Sequence, residues 1–165
     1  MTDTQPAPAA IRILVDADAC PVKDEIYRVA ARHTVAVKIV SNSPFRVPDS
    51  ALVQRIVVSD NFDAADDWIA EQADPNCVVI TSDILLAERA IKAGAQVLAP
   101  NGKPFTSASI GSAIAVRAIM ADLRAGADGI TGGPPPFSKS DRSQFLQMLD
   151  QILVRLARSK AGQIR

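Results

Sequence analysis

From Ile11 to Ala99 the chain alternates between short apolar runs and longer stretches whose apolar residues recur at helical spacing. "IRILV" (11–15), "VAVKIV" (35–40), "RIVVS" (55–59), "CVVITS" (77–82) and "AQVLA" (95–99) are too short for helices and rich in branched side chains, so they predict strands. Pro21 suits the first turn of a helix that continues to about His33 and carries Val22, Ile26, Val29 and Ala30 at helical spacing. A second helix is expected from Asp63 to Ala73. A third, through Leu85, Leu86, Ala90 and Ile91, ends near Gly94, a residue suited to a left-handed stop. "SNSPFRVPDS" (41–50) reads as a loop and "PNGKP" (100–104) as a tight turn.

Two more helices are expected, over 107–125 and 139–158, the second with Ser138 as N-cap and Asp141 three residues on, a weak variant of the capping box. The stretch between them, "GADGITGGPPPF" (126–137), is incompatible with regular structure, and "MTDTQPAPAA" (1–10) reads as a flexible tail. Strands alternating with helices predict an α/β domain over 11–160: a central, mostly parallel sheet of about five strands covered on both faces, with a C-terminal helical extension. In such folds chemistry lies beyond the carboxyl ends of the strands.

The 165 residues suit one such domain, and eighteen basic residues balance eighteen acidic ones, so no net field recruits a polyanion. No apolar run approaches the ~20 residues of a membrane span, and the N-terminal stretch lacks the basic start and apolar core of a signal peptide, so no membrane association and a cytoplasmic location are expected. In that reducing compartment Cys20 and Cys77 are expected to be free thiols, and "CPVK" lacks the second cysteine of a thioredoxin-type site. With His33 the single histidine, any metal would be held by oxygen ligands, which favours magnesium or manganese over zinc.

Against this frame the aspartates fall into a pattern. Asp16 and Asp18 follow the first strand, Asp60 and Asp63 the third, Asp66 and Asp67 lie on the next helix, and Asp83 follows the fourth strand. Any one of them is explained as well by capping or turn formation, and Asp83 or Ser82 suits a helix N-cap. Jointly they bring carboxylates from several strand ends to one edge of the sheet, where like charges raise one another's pKa until a cation neutralises them. Arg46, Lys103, Lys139 and Arg142, in or beside loops, are candidates for a phosphate-binding rim, and Asn42 for orienting a ligand or stabilising its turn. Trp68 and Phe62 read as core residues rather than stacking platforms.

Several stretches together, "VDADACPVK", "FRVP", "FDAAD" (62–66), "VVITSDILLAERAIKAGAQVL" (78–98) and "TGGPPPFSKSDRSQF" (131–145), resemble the YaiI/YqxD family of bacterial proteins, over about residues 11–156. That family is regarded as PIN-like, which implies a three-layer α/β/α domain related to nucleases that use magnesium or manganese to cut RNA, single-stranded RNA being the implied partner. By matching motif, the acidic roles would fall on Asp16 and Asp18, on Asp63 and Asp66, and on Asp83, with Asp16, Asp63 and Asp83 as the core metal ligands. One departure stands out. Where family members carry Asn-Pro-Arg-Gly after the last strand, this chain has Ala99, Pro100, Asn101 and Gly102.

Three rival readings use the same residues. A response-regulator receiver would employ Asp16, Asp60, Thr81 and "KPF" (103–105), but has adjacent acidic residues at the first strand where this chain has Asp-Ala-Asp. A haloacid-dehalogenase-like phosphatase would use Asp16 as nucleophile and Asp18 as acid, but the usual Gly-Thr after the second aspartate is missing. A non-catalytic RNA- or partner-binding protein on a nuclease-like fold is the third.

Overall fold

The computed structural model describes residues 10–18, 20–126 and 137–163, without the side chains of 117, 121–126 and 161–163. The tail expected over 1–10 and the Gly/Pro-rich stretch 126–137 therefore fall almost wholly outside the described residues.

A six-stranded sheet forms the middle layer: β1 (Arg12–Asp16), β2 (Ala36–Ser41), β3 (Val53–Val57), β4 (Cys77–Ile80), β5 (Gln96–Leu98) and β6 (Pro104–Phe105), in the order β3-β2-β1-β4-β5-β6. The first five are parallel, and β6 runs antiparallel to β5, pairing Val97 with Phe105 and Leu98 with Pro104. This sixth strand lies where a turn and its exit were expected; Gly102 (φ +86°) reverses the chain tightly enough for two residues to pair back. The third strand begins two residues earlier than its apolar run suggested.

Alternation along the strands sends side chains to two separate cores. Ile13, Val15, Val37, Ile39, Val78 and Ile80 face one side, where α1 (Lys23–His33) and α5 (Lys139–Gln163) cover them with Ile26, Val29, Phe145, Leu149 and Leu153. Leu14, Val40, Val79 and Val97 face the other side, against Ile69 of α2 (Ala64–Gln72), Leu86 and Ala90 of α3 (Ile84–Lys92), and Ile110 of α4 (Ser107–Gly126). Both faces being covered, the fold is a three-layer α/β/α arrangement, as the pattern predicted, and the C-terminal helix is part of an outer layer.

The helix stops follow the expected chemistry. Gly94 (φ +91°) ends α3 in the left-handed region. Ser138 and Asp141 bond reciprocally, the Asp141 N–H donating to Ser138 Oγ at 3.1 Å and the Ser138 N–H to Asp141 Oδ2 at 3.0 Å, so the aspartate completes a full capping box. Thr106 and Ser109 do the same for α4.

The strand order has a consequence for function. From β1 the chain winds outward through β2 and β3, then crosses to β4 on the opposite side of β1, so the crossovers diverge between β1 and β4. In doubly wound sheets that divergence opens a crevice at the carboxyl ends of the two strands. Asp16 ends β1 and Thr81–Asp83 follow β4.

Candidate functional site

A cleft of about 630 Å³ occupies that crevice. Asp16, Asp18, Asp60, Asp63, Asp66 and Asp83 line it together with Asn42, Asn61, Phe62 and Ser82, and among the described residues no lysine, arginine or histidine does. Six of the chain's eighteen acidic residues thus share one wall although the whole carries no net charge.

Four of the six carboxylates are delivered by distinct devices. Asp16 is the last residue of β1, half-buried, and its Oδ2 accepts the Thr81 hydroxyl at 3.1 Å. Thr81 is buried, and its Oγ1 also accepts the Asp83 N–H at 3.0 Å, so one hydroxyl ties the ends of two neighbouring strands together. Asp83 is the N-cap of α3: its Oδ1 accepts from the N–H groups of Leu85 (2.9 Å) and Leu86 (3.2 Å), which is the capping role open to it from sequence. Asp63 was expected on a helix with Asp66. It instead stands immediately before α2 with a left-handed backbone (φ 67°), and its side chain makes no capping bond, leaving it to the cleft. Asp66 lies in the first turn of α2. Asp67, one residue on, turns away and accepts Arg89 Nη1 at 2.8 Å.

The electrostatics follow from this crowding. Burial, then the charges of Asp83, Asp16 and Asp63, and a hydrogen bond with Asp83 push the Asp66 carboxyl up to about 6. Asp16 is also raised, by burial first and by Asp18 and Asp83, against the opposing pull of the Thr81 hydroxyl.

The remaining candidates are dispersed. Asn42, just beyond β2, lines the cleft; Arg46, Lys103 and Lys139 are exposed and do not. Arg142 reaches across to α1, donating to the Pro21 carbonyl at 2.8 Å and Glu25 Oε1 at 3.0 Å while stacking 5.0 Å over Phe137. Asn101, at the turn that departs from the family pattern, accepts the Lys103 N–H through its side chain at 3.0 Å. Trp68 packs against the second core with Lys38 Nζ 5.9 Å from its ring, as expected. Phe62 does not: it is 94% exposed at the cleft mouth, because the turn before α2 projects it outward, and the expectation that it belongs to the core is wrong. Thr81, Asn61 and Ser82 were not singled out as site residues. Thr81 stood out only as the counterpart of a receiver's threonine.

Cys20 and Cys77 are free, and burial raises both thiols, Cys77 to about 11, so neither is an activated nucleophile. Among the described residues no three His, Cys, Asp or Glu side chains stand spaced to enclose a cation, and no helix is long and apolar enough to cross a membrane.

The profile described as "Uncharacterized BCR, YaiI/YqxD family" matches residues 14–155. The chain belongs to the YaiI/YqxD family. A UPF0178 protein of Sphingopyxis alaskensis is 71% identical over 149 residues, 90% of this chain and 97% of its own length. UPF0178 proteins of Bradyrhizobium diazoefficiens and Nitrobacter winogradskyi are each 58% identical, covering 97% and 93% of this chain and 92% and 97% of their own. The YaiI/YqxD match spans β1 to α5, and so takes in every element that supplies a carboxylate to the cleft.

Proposed function

We propose that this YaiI/YqxD protein is a divalent-metal-dependent phosphodiesterase acting on RNA, working through the aspartates at the β1/β4 crevice. The observation that carries this reading is the lining of that cleft: six aspartates brought together from several parts of the chain and, among the described residues, no basic one. Its donors are all oxygen, which suits magnesium or manganese. Asp16, Asp63 and Asp83 would hold the ion: hydrogen bonds fix Asp16 and Asp83, and rotation of the exposed Asp63 side chain would bring it to them. When bound, such an ion polarises a phosphoryl oxygen and lowers the pKa of a coordinated water.

The chain's own groups do the rest. Thr81 holds Asp16 in one rotamer and registers it against Asp83. Asp66, beside the ligand carboxylates, is placed to accept a proton from water, and Asp18 lines the same cleft. A receiver reading is disfavoured by the strand order, since receivers place β3 beside β1 in the order 2-1-3-4-5 whereas β1 here pairs with β4. A reducing cytoplasmic setting agrees with two free thiols.

Calorimetric titration of manganese into wild type and Asp16→Asn tests the site. Binding that weakens at least about tenfold in the variant is expected. No binding at millimolar metal, or binding indifferent to the substitution, would sink it. Manganese-dependent, chelator-sensitive cleavage of single-stranded RNA tests the reaction, and hydrolysis of phosphomonoesters alone would favour the phosphatase.

A further inference from the structure

We propose that Phe62 is a base-stacking platform that makes the cleft selective for single-stranded nucleic acid, an inference that rests on the phosphodiesterase reading of the same site. Among the described residues, the other large apolar side chains at the surface, Val57, Leu85, Val116 and Ile119, are between 47% and 57% exposed, so each still packs about half of itself against the protein. Phe62, at 94%, packs almost nothing. A lone apolar residue on an open surface needs no explanation. Phe62 is different in place: it stands among the polar side chains of the cleft, between Asn61 and Asp63.

Its support is firm although its ring is free. The turn that carries it is closed by the Ala64 N–H donating to the Asn61 carbonyl at 3.1 Å, and α2 begins at once with the Asp67 N–H donating to the Asp63 carbonyl at 2.8 Å. The backbone that carries the ring is therefore fixed by the turn leading into a packed helix, so little main-chain freedom is lost on binding.

Charge decides what the ring would meet. Nucleic-acid affinity usually comes from lysine and arginine neutralising phosphates, and among the described residues the cleft lining offers neither. Beyond the one phosphate that the proposed ion would contact, a polyanion held here draws its affinity from its bases. Stacking on an aromatic face supplies that without sequence preference, while Asn42, Asn61 and Ser82 offer donors and acceptors to base edges or sugar. A duplex conceals its base faces, so only an unpaired strand presents them.

The test uses the full chain as wild type, Phe62→Ala and Phe62→Trp, titrated with a short single-stranded RNA carrying 2-aminopurine, the same sequence within a duplex, and an abasic strand of equal length. Wild type should quench 2-aminopurine on binding. Phe62→Ala should bind the single strand roughly tenfold or more weakly without quenching, and Phe62→Trp should restore both. The abasic strand should not distinguish the three proteins, and the duplex should bind weakly to all. Equal affinity of wild type and Phe62→Ala for the single strand, or failure of wild type to bind any of the probes, overturns the platform. Manganese-dependent cleavage is scored separately. Stacking without cleavage keeps the platform and removes the reaction, whereas cleavage with unchanged kcat/KM in Phe62→Ala removes the platform and keeps the reaction.

Discussion

Thr81 shows how much of the site depends on one buried hydroxyl. Its O–H serves Asp16 and its oxygen serves the Asp83 N–H, so Thr81→Val strands a half-buried carboxylate and a backbone donor at once. Losing those partners costs about 1–3 kcal/mol, and we expect manganese affinity to fall about tenfold or more; Thr81→Ser should recover most of both, as chemical denaturation and calorimetry would report. Asp66 makes the opposite prediction. Its folded pKa of about 6 lies above the 3.8 of an ordinary carboxyl, so its contribution to stability is fully present below that value and is lost as pH rises through 6. In chelator-treated protein the melting temperature should therefore rise as pH falls from 7 toward 5. Asp66→Asn should be the more stable protein at pH 7 and should lose that rise, and a wild-type curve that is flat or falling in this window would refute the crowding of charge.

Elements were read from sequence about as far as local physics reaches. The buried parallel strands announced themselves because both of their faces must be apolar, and Gly94 and Ser138 marked helix ends because their roles are satisfied within a few residues. What local pattern could not supply was long-range. Strand β6 is two residues opened by a proline, too short to have a period, and it exists because Gly102 brings the turn against α5. A Cβ at Gly102 would lie 2.7 Å from Gln144 C and 2.7 Å from Phe145 N, with φ at +86° besides. Gly102→Ala should accordingly cost at least about 2 kcal/mol, from left-handed strain plus overpacking, seen as a lower urea midpoint with an unchanged slope. The site divides in the same way. The aspartates were legible because strand ends deliver them, but the left-handed backbone of Asp63 and the outward turn of Phe62 depend on how α2 docks. Arg142 belongs to the α1–α5 contact through Glu25, a partner 117 residues away that no local pattern joins to it.

At the scale of the whole molecule, stability and function pull against each other. A chain with no net charge has gathered six aspartates at the point where its crossovers diverge, and no cationic side chain among the described residues lines that cleft. The fold tolerates this through two cores that the cleft does not interrupt, so the repulsion is local and should be relieved by anything that screens or binds it. In chelator-treated protein, raising sodium chloride to 1 M shortens the Debye length to about 3 Å, and the melting temperature should rise. Manganese at about one hundred times its dissociation constant should add about 2.7 kcal/mol, or roughly 5–10 °C for a chain of this size, and a chelator should reverse it. The two effects are separable by mutation. Asp16→Asn, Asp63→Asn and Asp83→Asn should each raise the low-salt melting temperature while shrinking the manganese shift, because each removes both a repelling charge and a ligand. If the baseline rises while the manganese shift stays whole, the ion binds somewhere other than the β1/β4 crevice, and the cleft is an acidic surface without the role assigned to it.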